Sequence, residues 1–205
     1  IDVISKCDNV MPYVHLPIQS GSDRILKLMG RRYTKEEYVS LYNKIREKVK
    51  DVSITTDIIV GFPGETEEDF EETINVVNEC KFDGAFTFAF SPREGTPASK
   101  LKDNTSLEEK NERLHRLNEV VNKWSNLRNH EMLGKTVKCL VLSLSEKDNT
   151  KYMGYTENMK LVNITSNKNI TGKIVDVKID EAKSFSLNGT YRKHAQGFLL
   201  QQLHR

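Results

Sequence analysis

The chain has 205 residues, of which 37% are apolar and 29% charged, and its formal net charge is +2. That composition is ordinary for a globular protein, with no apolar run long enough to cross a bilayer and no stretch that reads as a signal peptide. Cys7, Cys80 and Cys139 lie too far apart for a CxxC pair or a metal cluster, and read as isolated thiols of a reducing, cytoplasmic compartment.

The opening residues, IDVISKCDNV, contain no Met and read as the middle of a helix or loop, so a piece of a longer protein is expected. Met11 to Gln19 is an apolar strand, with an irregular end at Pro17, followed by the turn Ser20-Gly21-Ser22. Ser22 is placed to cap a short helix from Asp23 to Met29. Thr34 and Glu37 form a capping-box signature for a helix reaching about Val49, with Tyr38, Leu41, Tyr42, Ile45 and Val49 on one face. Residues 52–60 are β-branched and apolar around Thr55, Thr56 and Asp57, which suits a strand buried on both faces of a parallel sheet. Gly61-Phe62-Pro63-Gly64 then makes a turn, and Thr66 with Asp69 caps a helix whose stripe is Phe70, Ile74, Val77 and Cys80. A third strand, Phe82 to Phe90, ends in the turn-rich loop Ser91 to Pro97. Strands and helices in strict alternation predict right-handed βαβ units and a parallel sheet.

Ser106 and Glu109 open a long helix to about Met132, with Leu107, Leu114, Leu117, Val121, Trp124 and Leu127 along one seam. After Gly134 the period changes. KTVKCLVLSL, KYMGYT, KLVNI and GKIVDVKI are short strands separated by turns, which predicts a small antiparallel barrel. Residues 134–205 hold 12 Lys and Arg against 6 Asp and Glu, whereas residues 1–133 hold 19 against 23. The excess either keeps a small β domain in solution or meets a polyanion such as RNA. Lys135, Lys138, Lys151, Lys160 and Lys173 are the candidate phosphate contacts, although strand alternation puts only some of them on one face.

Parallel strands share one C-terminal edge, so their three loops converge. There Gln19 offers an amide, Asp57 a carboxylate for ribose hydroxyls or an amine, and Arg31 a fork for a carboxylate. Together they suit a ligand with hydroxyls and a zwitterionic amino-acid tail. The plainer alternative is that Asp57 caps a turn and Arg31 is a surface side chain. No nucleophile–base pair is evident: His15 lies inside a strand, and His115 and His130 read as packed or solvated. The acidic run Glu65 to Glu72 is most simply a helix N-terminus.

HLPIQSGSDRILKLMGRRYTKEEY, TTDIIVGFPGETEEDFEET and FTFAFSPREGTPA, in that order, resemble the second half of the radical S-adenosylmethionine methylthiotransferases, in particular their tRNA-modifying branch. SEKDNTKYMGYTENMKLVNI resembles the RNA-binding TRAM domain that ends these proteins. The resemblance implies an α/β fold. Residues 1–132 would be the last three βα units of a partial radical SAM barrel plus a linking helix, with residues 52–60 as the fifth barrel strand. Residues 133–189 would be the TRAM barrel, and residues 190–205 an unassigned tail, helical or disordered. It further implies that S-adenosyl-L-methionine is held by Gln19, Arg31 and Asp57, that Ile59, Val60 and Gly61 pack near its adenine, and that Arg93 meets the substrate.

The family's CxxxCxxC loop is absent, so the two 4Fe-4S clusters that the resemblance implies would have ligands outside this chain. The chain by itself is then expected to be inactive. The implied whole enzyme makes a 5′-deoxyadenosyl radical, takes hydrogen from adenine C2 of N6-isopentenyladenosine beside the anticodon, and inserts a methylthio group. Its implied partners are tRNA and a sulfur donor or iron–sulfur assembly proteins, with no membrane. Alternatives are a methylthiotransferase for threonylcarbamoyl-adenosine tRNA or a ribosomal protein, or a non-catalytic RNA-binding module.

Overall fold

The computed structural model describes residues 1–146 and 148–192. They form two compact units, divided between Arg128 and Asn129.

The first unit opens with α1 (Asp2–Lys6) and then places helices between successive strands, two after the first: β1 (Tyr13–His15), α2 (Asp23–Leu28), α3 (Lys35–Lys48), β2 (Ser53–Val60), α4 (Glu67–Cys80), β3 (Gly84–Ala89) and α5 (Leu107–His130). The three strands form a parallel sheet in the order β1-β2-β3. The expected first strand is shorter than Met11 to Gln19. Pro17 interrupts it, and pairing resumes only at an isolated bridge between Gln19 and Ile58. Both capping boxes form, Thr34 with Glu37 and Thr66 with Asp69, and each satisfies two orphan helical N–H groups.

The central strand explains the layering. Ile54, Thr56, Ile58 and Val60 are buried, whereas Thr55, Asp57 and Ile59 are only partly covered. One sheet face therefore packs under helices, against Tyr38, Tyr42 and Ile45 of α3, Phe70 and Val77 of α4, and Leu117 and Val121 of α5. The other face carries Phe86 and Phe88, both more than half exposed. The expectation of a strand buried on both faces is thus corrected: among the described residues β2 is covered on one face. Leu41, Leu107 and Leu127, expected on apolar stripes, are exposed. Leu107 begins α5, where a residue lies past the edge of the core it was assigned to.

Polar anchors hold the helices in place. Trp124 Nε1 donates to Asn78 Oδ1 at 2.8 Å, and Arg116 reaches both Glu67 and Glu71, tying α5 to α4. Arg46 of α3 pairs with Asp83, whose carboxylate also accepts the backbone N–H of Ile54.

The second unit is a closed five-stranded barrel. Its strands are β4 (Thr136–Leu144), β5 (Lys151–Thr156), β6 (Leu161–Thr165), β7 (Ile174–Ala182) and β8 (Leu187–Arg192), in the order β4-β5-β6-β8-β7. Its core is Cys139, Val141, Val162, Ile164, Ile170, Val177, Ile179 and Leu187. All its ladders are antiparallel except β6–β8. That parallel pair closes the barrel, because β8 returns from β7 to the free edge of β6 and leaves no edge unpaired. Thr190, Tyr191 and Arg192, expected in the tail, belong to β8. The rest of that expected tail, 193–205, lies outside the described residues.

Candidate cofactor cleft

The C-terminal ends of the three strands open onto a cleft of about 760 Å³, within the usual range of small-molecule sites, about 300–1,000 Å³. Gln19, Arg31 and Asp57 line it, together with Ile59, Met29, Phe62, Phe88 and Phe90. Arg93 lines it from the loop after β3. Most of the wall is hydrocarbon and aromatic, with a few convergent polar groups, as ligand sites tend to be.

Each polar group has a structural reason for its place. Gln19 follows the Pro17 break with φ of +72°, a left-handed conformation that costs a residue with a Cβ about 1–3 kcal/mol. Its backbone is held there by two ladder bonds, Gln19 N–H to Asp57 O at 2.8 Å and Ile59 N–H to Gln19 O at 2.9 Å. Asp57 points to the uncovered face because it is odd in register with buried Thr56 and Ile58. Arg31 follows the Gly30 turn after α2, and its backbone N–H caps Leu26 O at 2.9 Å.

The loops beneath are fixed by buried polar contacts. Gly21 N–H donates to Thr73 Oγ1 at 2.9 Å, and Ser22 Oγ donates to Asp69 at 2.6 Å while capping α2. A Cβ on Gly21 would meet Glu72 O at 2.5 Å, so only glycine lets this loop lie on α4. Asp69 also binds Thr66 and Arg24. Burial pushes its carboxyl up, but the hydrogen bonds from Arg24, Ser22 and Thr66 outweigh that and hold it well below the usual carboxylate range. On the other side, buried Glu65 accepts Gly61 N–H at 2.6 Å and Arg113 Nη1–H at 3.0 Å. Burial raises its carboxyl more than those bonds and Arg113 lower it.

Two expected adenine neighbours do not reach the cleft. Val60 is fully buried on the helix side, as strand alternation requires. Gly61 is covered by Lys110: a Cβ there would meet Lys110 Cγ at 2.4 Å. Its φ of +67° and its N–H bond to Glu65 make it the hinge of the turn. Several contributors gave no sequence signal as a group. Lys110, Arg113 and Asp69 sit in or at the start of helices, and Glu65 was read as part of a helix N-terminus. Their partners lie up to 48 residues away. His15, read as a strand residue without a partner, stands 3.3 Å from Asp57 Oδ1.

The residues fit S-adenosylmethionine: a guanidinium for its carboxylate, a carboxylate for its ribose, and aromatic and branched side chains for its base. They do not fit an iron–sulfur cluster. Cys80 lies in α4 and Cys139 in β4, each thiol pushed up to about 12 by burial first and then by nearby carboxylates, and Cys7 is exposed.

In the barrel, Lys135, Lys138 and Lys173 are exposed. Lys151 pairs with Asp148 at 3.3 Å. Lys160 departs from the expectation of phosphate contact. It is 9% exposed, and its Nζ donates to Asn129 Oδ1 at 2.9 Å.

Residues 1–77 match the family model of the radical SAM superfamily, and residues 130–191 match that of the TRAM domain. The chain is thus similar to the radical SAM superfamily in its first stretch and to the TRAM domain in its last. It is similar to the tRNA-2-methylthio-N(6)-dimethylallyladenosine synthase of Staphylococcus epidermidis, with 48% identity over 202 residues, 98% of this chain and 39% of that protein. The synthase of the same name from Staphylococcus aureus strain MRSA252 is 47% identical over 196 residues, 96% of this chain and 38% of its own length. The chain thus spans about 39% of the length of the curated relatives it matches. Within the first unit, the matched stretch ends inside α4, after Gln19, Arg31 and Asp57.

Proposed function

We propose that this chain serves in a tRNA methylthiotransferase that adds a methylthio group at C2 of an N6-dimethylallyl adenosine beside the anticodon, acting in the cytoplasm. The observation that carries the reading is the single cleft where Gln19, Arg31 and Asp57 converge, in a chain 48% identical along nearly its whole length to synthases of that name.

In this reading Arg31 binds the carboxylate of S-adenosylmethionine, Asp57 accepts from its ribose hydroxyls, and the Gln19 amide fixes the polar segment between them. The bound cofactor supplies radical chemistry, hydrogen abstraction from an unreactive carbon. Ile59, Phe62 and Phe88 keep water from the base, and low water strengthens each polar contact. Arg93, on the same cleft, faces the incoming substrate. Clusters of the 4Fe-4S type, held by cysteines beyond this chain, and a sulfur donor or iron–sulfur assembly proteins complete the proposal. The TRAM domain contacts the tRNA through exposed Lys135, Lys138 and Lys173, with Lys151 at the margin.

Deleting the gene should abolish the methylthio mark on tRNA, read by mass spectrometry of digested nucleosides. Loss from threonylcarbamoyl-adenosine or from a ribosomal protein instead would favour a sister activity, and an unchanged profile would favour a non-catalytic RNA-binding role. In the full-length protein, Arg31→Ala should weaken S-adenosylmethionine binding by about tenfold or more, the worth of a charge-assisted contact.

A further inference from the structure

The uncovered face of the sheet carries two linked hydrogen bonds that end in a close His15–Asp57 contact at the cleft. Tyr13 Oη lies 2.9 Å from Thr55 Oγ1, Thr55 Oγ1 lies 3.0 Å from His15 Nδ1, and His15 Nε2 lies 3.3 Å from Asp57 Oδ1. The parallel register sets this up. His15 pairs with Thr55, and Asp57 is two residues further along β2 on the same face. Phe86, paired with Asp57 from β3, meets the His15 ring edge-on with centroids 5.9 Å apart. Of these side chains only Asp57 lines the cleft.

One polarity suits the two bonds with a neutral imidazole: Tyr13 donates to Thr55, Thr55 donates to His15 Nδ1, and the proton then sits on Nε2, 3.3 Å from Asp57 Oδ1. The His15 contact engages Oδ1 and leaves Oδ2 for a second donor.

We propose that His15 is a positioning residue for Asp57. It fixes the carboxylate so that Oδ2 is presented to the ligand in the cleft before the ligand arrives, and Tyr13, Thr55 and Phe86 hold the imidazole to that task. The inference rests on the reading of the cleft as an S-adenosylmethionine site with Asp57 on the ribose. Behind metal ligands, support of this kind is worth about 10–100-fold in affinity or activity, and a carboxylate held for a ribose draws on the same locking of its orientation.

The test uses the full-length protein and two probes, S-adenosylmethionine and the analogue whose ribose lacks its 2′ and 3′ hydroxyls, with binding measured by equilibrium dialysis. Two nearly isosteric variants separate the two ends of the imidazole. His15→Asn keeps an amide near Nδ1 for Thr55 but loses the reach to Asp57, and His15→Gln places its amide near Nε2. His15→Asn should weaken S-adenosylmethionine binding about tenfold, leave the analogue unaffected, and add nothing when Asp57 is already Asn. His15→Gln should restore most of the preference for the hydroxylated ligand. Equal weakening for both probes, full additivity with Asp57→Asn, or no difference between the Asn and Gln variants would overturn the role of His15. A wild-type protein that discriminates between the probes while His15→Asn discriminates equally well would overturn this inference alone. A wild-type protein that binds neither probe, or both equally, would overturn the reading of the cleft together with it.

Discussion

Asp69 shows how much of the cleft depends on one side chain outside it. It completes the capping box of α4, accepts from Ser22 at the end of the loop that carries Gln19, and pairs with Arg24. Asp69→Asn should lower the stability of the first unit by about 2–3 kcal/mol, from a weakened cap and lost charged hydrogen bonds, measured by urea unfolding. The sign of the pH effect follows from its lowered native value. A carboxyl with a depressed folded pKa adds stability above its unfolded value, about 4, and loses it as pH falls through the lower folded value. Wild-type stability should therefore decline on acidification below about pH 4, more steeply than that of Asp69→Asn. Gly61 is a second such residue. Gly61→Ala should cost about 1–3 kcal/mol from overpacking against Lys110 and from a positive φ. Adding Lys110→Ala should recover only the steric part, which thermal unfolding of the single and double variants would separate.

At the scale of elements, the lysines of the barrel divide into two kinds. Lys160 turns inward to Asn129, whereas Lys138 lies on the outer face of β4 beside buried Cys139. Lys138→Ala should reduce the slope of log affinity for tRNA against log salt by up to about one, with stability unchanged within about 0.5 kcal/mol. Lys160→Ala should do the reverse, leaving the salt slope as it is and costing about 1–2 kcal/mol for the lost buried contact. A salt-insensitive interaction would remove the case for the barrel as the tRNA-binding element. The β3 face makes the matching point in the other unit. Phe86 and Phe88 are exposed, so Phe88→Ala should change stability by less than about 1 kcal/mol while weakening ligand binding, since Phe88 lines the cleft.

Over the whole molecule, much of the design was legible from local chemistry. Capping signals at Ser22, Thr34 and Thr66 placed three helices, because a cap is a contact across three residues. Period-2 and period-3.6 patterning separated the two units and indicated a parallel sheet before a β barrel, since burial on one face is written into spacing. The same spacing brought Gln19, Arg31 and Asp57 to one edge, as parallel strands do with their following loops. What local chemistry left open were contacts between residues far apart in sequence. The Arg113–Glu65 pair spans 48 residues, Asp69–Ser22 spans 47, and His15 meets an Asp57 carboxylate on the next strand. No periodicity encodes such partners, so Lys160 could be read as a surface charge and Gly61 as a cofactor contact. Only the packing of α5 across the β2–α4 turn, and the closure of the barrel by β8 against β6, decided which charges are buried and which stay at the surface.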